Sequence, residues 1–542
     1  LYCFEYMKSE GGLSPNTITF ISILKACSSI KLTEKCQELH IDIMRKGIFE
    51  DDLLIGNAVV DAYGKCGLFA EAKQVFNRMP NRDVVSWNVL IWAYVELGDN
   101  AEVFEYHEQM QIEHLSPDVV TYSIILRACG NIGCLEKGKV LHAEIVKTGL
   151  LGYDISIGNA LVDMYAKCGF LTKAREVFDT LSVRDVISWN TIMTGYATDK
   201  HFHEVFRCFE QMLVRGIPPT HVTFICTLKA CGGLCALERG QEIHTEVVKK
   251  GLSDIVVGIG NALINMYGHC SWMLEAEEVF DSLRARDNVS WNALITGYAN
   301  LCYNHEVLDC FEKMHHQDGI PADAISFVCC LKACASLGAS QKGQEVHAKI
   351  VTQELLERDH LLGNALIDMY VNCGLVSRAQ EVFDNLPMKD VISWTSLLTG
   401  YAYLGECEEV FLTFNQMRDA GQKAHMLTLV SILNACSHAG LLDEAYVYLS
   451  KVHGMSPSLE HYTCMVDILG RAGQLREAMT VMKKMHFEAD VATWSTLLSA
   501  CQQWGNVELG RHVFECAVAS NVGRASTFIM MSNIYTQTRQ LN

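Results

Sequence analysis

Apolar residues along this chain return at the spacing of one helix face. Trp87, Leu90, Ile91 and Tyr94 sit at i, i+3, i+4 and i+7, and after Gly98-Asp99 the residues Val103, Phe104 and Met110 supply a matching stripe. Tyr165-Ala166-Lys167-Cys168-Gly169 ends another such run with a glycine suited to a left-handed cap, and Ala174, Val177 and Phe178 line the next. The pattern predicts short paired helices whose aromatic residues pack between them, in an all-α chain.

The pairs repeat. Trp87, Trp189, Trp291 and Trp394 recur every 102 or 103 residues; Cys27, Cys129, Cys231, Cys334 and Cys436 keep the same beat, as do His40, His142, His244 and His347. Each unit divides into three hairpins, first at 17–52, 53–83 and 84–118, then at 119–154, 155–185 and 186–220, at 221–256, 257–287 and 288–323, and at 324–359, 360–390 and 391–425. Residues 426–458 and 459–490 continue with altered sequence, and 491–542 form a divergent hairpin-like region. Residues 1–16 read as the end of a preceding unit, since Phe4-Glu5-Tyr6-Met7 resembles Phe209-Glu210-Gln211-Met212. A fixed period predicts a stack of small units, an α-solenoid, with function along an extended surface.

With 49% hydrophobic and 20% charged residues the chain has ample apolar surface to fold. Its net charge of -19, from 44 Lys+Arg against 63 Asp+Glu, argues against a non-specific polyanion binder. It leaves RNA open, because a solenoid can carry its acid away from its groove. Of the 23 cysteines, ten fall at repeated positions: one series in Lys/Arg-Ala-Cys-type segments and at Cys501, the other three residues after a tyrosine (Cys66, Cys168, Cys270, Cys373). Both read as small buried hydrophobes in a reducing compartment. The longest stretch without a charged residue, Ala424 to Leu442, holds polar residues and fits the repeat register, so no membrane span is expected. No secretory signal or transit peptide is visible, although a targeting sequence could have been removed upstream.

The segments Gly56-Asn57-Ala58-Val59-Val60-Asp61-Ala62-Tyr63 and Gly158-Asn159-Ala160-Leu161-Val162-Asp163-Met164-Tyr165, repeated from Gly260 and Gly363, alternate with Val84-Val85-Ser86-Trp87-Asn88, Val186-Ile187-Ser188-Trp189-Asn190, Asn288-Val289-Ser290-Trp291-Asn292 and Val391-Ile392-Ser393-Trp394-Thr395. In these residues the chain resembles the pentatricopeptide repeat family, specifically its plant organellar PLS class, in which long (L), short (S) and 35-residue (P) motifs alternate. The resemblance implies a right-handed superhelical α-solenoid with four L-S-P triplets at 17–425. Late L and S motifs follow at 426–490, and 491–542, with Ser532-Asn533-Ile534-Tyr535, looks like the start of an E domain.

The resemblance further implies binding of single-stranded RNA, one nucleotide per repeat, with the strand running 5′ to 3′ along the protein from N to C terminus. The unpaired bases of such a strand expose edges that one polar side chain per repeat can reach. The family's readers are the fifth and last residues of each motif. Asn followed by Asp implies uracil, giving Asn57/Asp83, Asn88/Asp118, Asn159/Asp185, Asn261/Asp287, Asn292/Asp323 and Asn364/Asp390 as uracil positions. Asn190/Thr220 implies a pyrimidine and Thr395/His425 a purine. The L motifs place Ile21, Ser123, Ile225 and Val328 at the fifth position, where little reading is expected. The implied target, with n unread, is n-U-U-n-U-Y-n-U-U-n-U-R. The second residue of each motif wedges between bases; Val85, Ile187, Val289 and Ile392 suit this, while Ser156 and Gly258 offer less apolar surface. Without the resemblance, a recurrent Asn on a first helix reads as a cap or an amide that fixes the turn.

Chains with this ending resemble specificity factors for cytidine-to-uridine editing of mitochondrial or chloroplast transcripts. There the last S motif, here with Thr463 and Asp490, aligns four nucleotides upstream of the edited cytidine, and a DYW-type deaminase domain supplies the chemistry. That domain needs H-x-E followed by P-C-x-x-C to hold zinc and its water. His142-Ala143-Glu144 and His244-Thr245-Glu246 match the first half at a repeat position, and no C-x-x-C occurs in the sequence, so no deaminase site, metal, cofactor or catalytic residue is expected in this chain. The expected partners are single-stranded organellar RNA and an editing deaminase acting in trans or on a longer chain. A stability, splicing or translation factor that simply occupies its site is the nearest alternative; a tetratricopeptide-type scaffold for peptides is a more distant one.

Overall fold

The computed structural model describes residues 2–9, 14–152, 154–252, 257–316, 318–357, 359–450, 458–485, 487–519 and 525–541. Parts of the 426–490 and 491–542 regions, at 451–457 and 520–524, thus lie outside the described residues. All regular structure among the described residues is helical. The chain divides into two compact units, residues 1–283 and 284–542.

In the first unit, first helices at Thr17–Ser29, Leu53–Lys65, Val84–Leu97, Val119–Ile132, Ile155–Lys167, Val186–Thr198, His221–Gly233 and Val257–His269 pack in chain order, each of the first seven on the one that follows it. Their second helices, such as Asn100–Ile112 and Leu135–Thr148, pack against their own first helix. The second unit repeats the arrangement with first helices at Asn288–Asn300, Ala324–Leu337, His360–Asn372, Val391–Leu404, Met426–Ala439, Leu459–Arg471 and Val491–Gln503. First helices thereby form one continuous layer in each unit, and their residues share a common face.

The periodic residues account for this packing. Trp189 is 1% exposed with its ring edge-on to Phe178, centroids 4.8 Å apart, and in the second unit Trp394 meets Phe383 in the same way at 4.6 Å. The histidine series locks neighbouring hairpins: His142 Nδ1 lies 3.0 Å from the Tyr165 hydroxyl, with equivalent bonds for His40–Tyr63, His244–Tyr267 and His347–Tyr370. Burial lowers the pKa of all four histidines. His142 and His244, which begin the two His-x-Glu triplets, are thus held by Tyr165 and Tyr267, and among the described residues no cluster suited to a metal ion occurs.

Gly169 adopts φ +79°, the left-handed turn that ends its first helix. Gly195 has a different reason: a Cβ there would stand 2.7 Å from Ala166 Cβ, so the two first helices could not approach as they do. The two cysteine series diverge. Cys27, Cys129, Cys231, Cys334, Cys436 and Cys501 are fully buried, as expected. Cys66, Cys168, Cys270 and Cys373 are only half-buried, because they stand at the helix C-terminus beside the turn. There the thiol of Cys168 reaches toward the Cys129 carbonyl at 3.8 Å, joining the two series. Among the described residues no helix is long and apolar enough to cross a membrane.

Candidate nucleic-acid interface

The last residue of each of the hairpins 53–83, 84–118, 155–185, 186–220, 288–323, 360–390, 391–425 and 459–490 is the N-cap of the next first helix. Asp83, Asp118, Asp185, Asp287, Asp323, Asp390 and Asp490 all stand in extended backbone, and each side chain accepts the N–H of the residue three positions on. At Asp118 the Thr121 N–H donates to Oδ1 at 2.8 Å and the Thr121 hydroxyl lies 2.8 Å from the same oxygen, while Thr121 Oγ1 accepts the Asp118 N–H at 3.2 Å. Thr220 and His425 hold the same place with the same partner position: the Thr220 N–H donates to Thr223 Oγ1 at 3.1 Å, and His425 Nδ1 lies 2.7 Å from Thr428 Oγ1. The capping role that sequence reasoning left open for Asn thus belongs to its partner.

The Asn residues sit one turn into their helices. Asn88 donates from Nδ2 to Asp118 Oδ1 at 3.1 Å and accepts from Thr121 Oγ1 at 2.7 Å. Asn190 donates to Thr220 Oγ1 at 3.0 Å and accepts from Thr223 Oγ1 at 2.6 Å. In the second unit Asn292 donates to Asp323 Oδ2 at 2.7 Å, and Asn364 reaches both Asp390 oxygens at 3.1 and 3.3 Å. Asn159 stands close enough to Asp185 to help lower its pKa. The structure does not join Asn57 to Asp83, since both polar ends of the Asn57 side chain are buried without a partner. Asn261 is buried on the last first helix of the first unit, and Asp287 opens the first helix of the second.

Thr395 behaves differently. Its hydroxyl lies 2.7 Å from the Val391 carbonyl and 2.8 Å from Thr428 Oγ1, so it meets the capping hydroxyl and not His425. Thr463 repeats this, 3.0 Å from the Leu459 carbonyl and 2.8 Å from Thr493 Oγ1, and Thr493 in turn donates to Asp490 at 2.7 Å. Ile21, Ser123, Ile225 and Val328, where little reading is expected, are half-buried, and the Ser123 hydroxyl is spent on the Val119 carbonyl at 2.7 Å.

Burial pushes the Asp118 carboxyl up, but the hydrogen bonds from Thr121 and Asn88 outweigh it and hold the group below its ordinary value; Asp185 and Asp390 are lowered in the same way. The ionised carboxylate fixes the amide it accepts from. After its two protein bonds Asn88 retains one N–H and one oxygen lone pair. A flat ligand with an acceptor beside a donor matches that remainder. Asn88 is only 6% exposed, so the ligand has to present its edge.

Around this pair a cleft of about 710 Å³ is lined by Val85, Asn88, Trp92, Asp118, Val120 and Arg127, with Ser156 and Asp163 on the next helix. It gathers the second, fifth and ninth residues of consecutive first helices, positions that share one helix face. Val85, Ile187, Val289 and Ile392 are 51%, 61%, 56% and 52% exposed, and they recur at one position on the same helix face. Sequence reasoning overlooked that Ile18, Leu54, Val120, Ile325, Leu361 and Leu427 are equally exposed at the same helical position. The signal was present, an apolar residue at the second position of every one of those helices.

Comparison with known proteins gives a consistent result. The PPR repeat family models match at 57–84, 82–131, 120–150, 159–186, 184–233, 261–287, 289–318, 364–391, 392–422, 460–488 and 492–522. A chloroplastic pentatricopeptide repeat-containing protein of Arabidopsis thaliana is 33% identical over 98% of this chain and 61% of its own length. A second from the same plant is 33% identical over 96% of this chain and 75% of its own, and a mitochondrial one is 31% identical over 99% and 82%. The chain thus spans about three fifths of the first of these relatives. Among solved structures, the pentatricopeptide repeat protein PPR10 in complex with an 18-nt psaJ RNA element aligns over 97% of this chain and 83% of that one, at TM-score 0.63 and 18% identity. That likeness establishes the fold.

Proposed function

Since the chain belongs to the pentatricopeptide repeat family, we propose that it is a sequence-specific single-stranded RNA-binding protein that recognises sites for cytidine-to-uridine editing in organellar transcripts. The observation that carries the RNA reading is the recurring pair in which a first-helix Asn donates to the capping residue of the next hairpin, beside an exposed aliphatic side chain. Uracil offers a carbonyl oxygen beside its N3–H, which is the acceptor and donor that the remainder of Asn88 requires. The aliphatic wedge covers the face of the same base. PPR10, to which the fold is similar, was solved with RNA, which supports the same ligand class here.

In this reading Asn57/Asp83, Asn88/Asp118, Asn159/Asp185, Asn261/Asp287, Asn292/Asp323 and Asn364/Asp390 take uracil, Asn190/Thr220 a pyrimidine and Thr395/His425 a purine. Thr463/Asp490 lies nearest the edited cytidine. The deaminase is a separate partner or lies on a longer chain, and the compartment is the chloroplast or mitochondrion, as for the relatives. Selection of the purified chain against a random single-stranded RNA pool tests this. The expected product is enrichment of n-U-U-n-U-Y-n-U-U-n-U-R; absence of enrichment by the folded chain contradicts the reading.

A further inference from the structure

The Lys/Arg-Ala-Cys segments place a cation at one repeated position that base reading does not use. Lys25, Arg127, Lys229 and Lys332 are the ninth residues of first helices whose fifth residues are Ile21, Ser123, Ile225 and Val328. Second, fifth and ninth residues stand at i, i+3 and i+7, one face of a helix. Arg127 lines the same 710 Å³ cleft as Asn88 and Asp118, which fixes that face as the one carrying the readers. All four cations are exposed.

Their surroundings leave them available. Carboxylates also occur at the ninth position, on the neighbouring first helices: Asp61 and Asp163 are held by Lys65 at 2.7 Å and Lys167 at 2.9 Å on their own helices, whereas Asp368 feels the charge of Lys332 from beyond ion-pair distance. Among the described residues no carboxylate lies within ion-pair distance of Lys25, Lys229 or Lys332. Arg127 makes one exposed contact to Glu96 at 3.1 Å and stacks on Trp92 at 4.7 Å, keeping further N–H donors free. On a chain of net charge -19, four exposed cations on one helix face at every third hairpin differ from a diffuse basic surface.

We propose that Lys25, Arg127, Lys229 and Lys332 bind phosphodiester groups of the RNA, so that the hairpins unable to read a base hold the strand by its backbone, one anchor per triplet. This rests on the RNA reading above. Phosphate contacts position a strand without specifying its sequence, and each neutralised phosphate releases counterions. The fifth hairpin of this kind carries Asn434, which accepts from the Cys464 thiol at 3.1 Å, and supplies no anchor.

The test measures affinity of the full chain for the RNA 5′-AUUAUCAUUAUA-3′ and for a scrambled version as salt is varied. The combined variant Lys25→Gln, Arg127→Gln, Lys229→Gln and Lys332→Gln is compared with a control carrying Lys147→Gln, Arg207→Gln, Lys249→Gln and Lys483→Gln, exposed cations on second helices. Circular dichroism and melting verify that both stay folded. The expected result is a slope of log affinity against log salt smaller by about 0.7 per charge removed, roughly 3 in all, with the preference over the scrambled RNA retained and the control unchanged. An unchanged slope in a variant that still discriminates overturns the anchors and leaves base reading standing. An equal fall in the control overturns their placement. Failure of the parent chain to prefer the patterned RNA overturns both proposals.

Discussion

The Asn88/Asp118 and Thr395/His425 positions share a frame and differ in what they place on it. Asp118 and His425 both cap a first helix from extended backbone, φ −100° and −108°, with a threonine hydroxyl three residues on closing the box. At the first, the capping carboxylate also takes the Asn88 amide at 3.1 Å; at the second, Thr395 turns to Thr428 and the Val391 carbonyl. The Asn190/Thr220 position lies between, with the amide bonded to a hydroxyl. The cap is common to all three positions, and the bond made to it by the first-helix side chain is what varies. The side chain that meets the cap can therefore change while the fold stays fixed.

If scaffold and reader are separable in this way, the largest effects belong to the scaffold. Trp189→Ala and Trp394→Ala should each cost about 3–5 kcal/mol in urea unfolding, through the cavity left against Phe178 or Phe383. A loss that small reader substitutions match would break the distinction. Next in size, Thr395→Asn with His425→Asp should convert that position to the Asn88/Asp118 arrangement. Its preference should move from purine to uracil by about 1–3 kcal/mol, read from competition binding of RNAs differing at one nucleotide.

Asp118→Ala removes cap and pair together and should cost about 1 kcal/mol of stability, whereas Asp118→Asn keeps an efficient cap and should cost a few tenths. Matching urea midpoints for the two would show that the cap contributes nothing. The smallest effect is on pH dependence. The buried histidines have lowered pKa values, so the unfolded chain binds protons that the folded chain does not, and stability should fall as pH drops below about 6.5. The lowered Asp118, Asp185 and Asp390 act the other way round in origin but with the same sign: their contribution is present at neutral pH and is lost only as pH falls below the ordinary value of 3.8. His142→Gln should reduce the difference between urea midpoints at pH 7.5 and 5.5.

The all-helical stack was legible because its determinants are local and repeated: an apolar stripe at helical spacing, a left-handed Gly169, a Trp at every third hairpin. The meaning of the histidine series was not, since the bond from His142 to Tyr165 joins residues on different hairpins and no spacing rule announces it. The same limit applied at the interface. Position paired Asn88 with Asp118 as expected readers, yet that Asp118 is a helix cap follows from backbone geometry and from Thr121, three residues on. The exposure of Ile18, Leu54 and Val120 was missed because an apolar residue near a helix start reads as core unless the stack shows which face is left open.

The most direct test of the central claim, that the Asn–Asp pair selects the base, is sequencing of RNA bound from a random pool by the parent chain and by Asn88→Thr with Asp118→Asn. The account predicts that one position alone moves from uracil towards adenine, by about 1–3 kcal/mol, with the helical content and melting temperature of the protein unchanged. Retention of uracil at that position by a folded variant would contradict it.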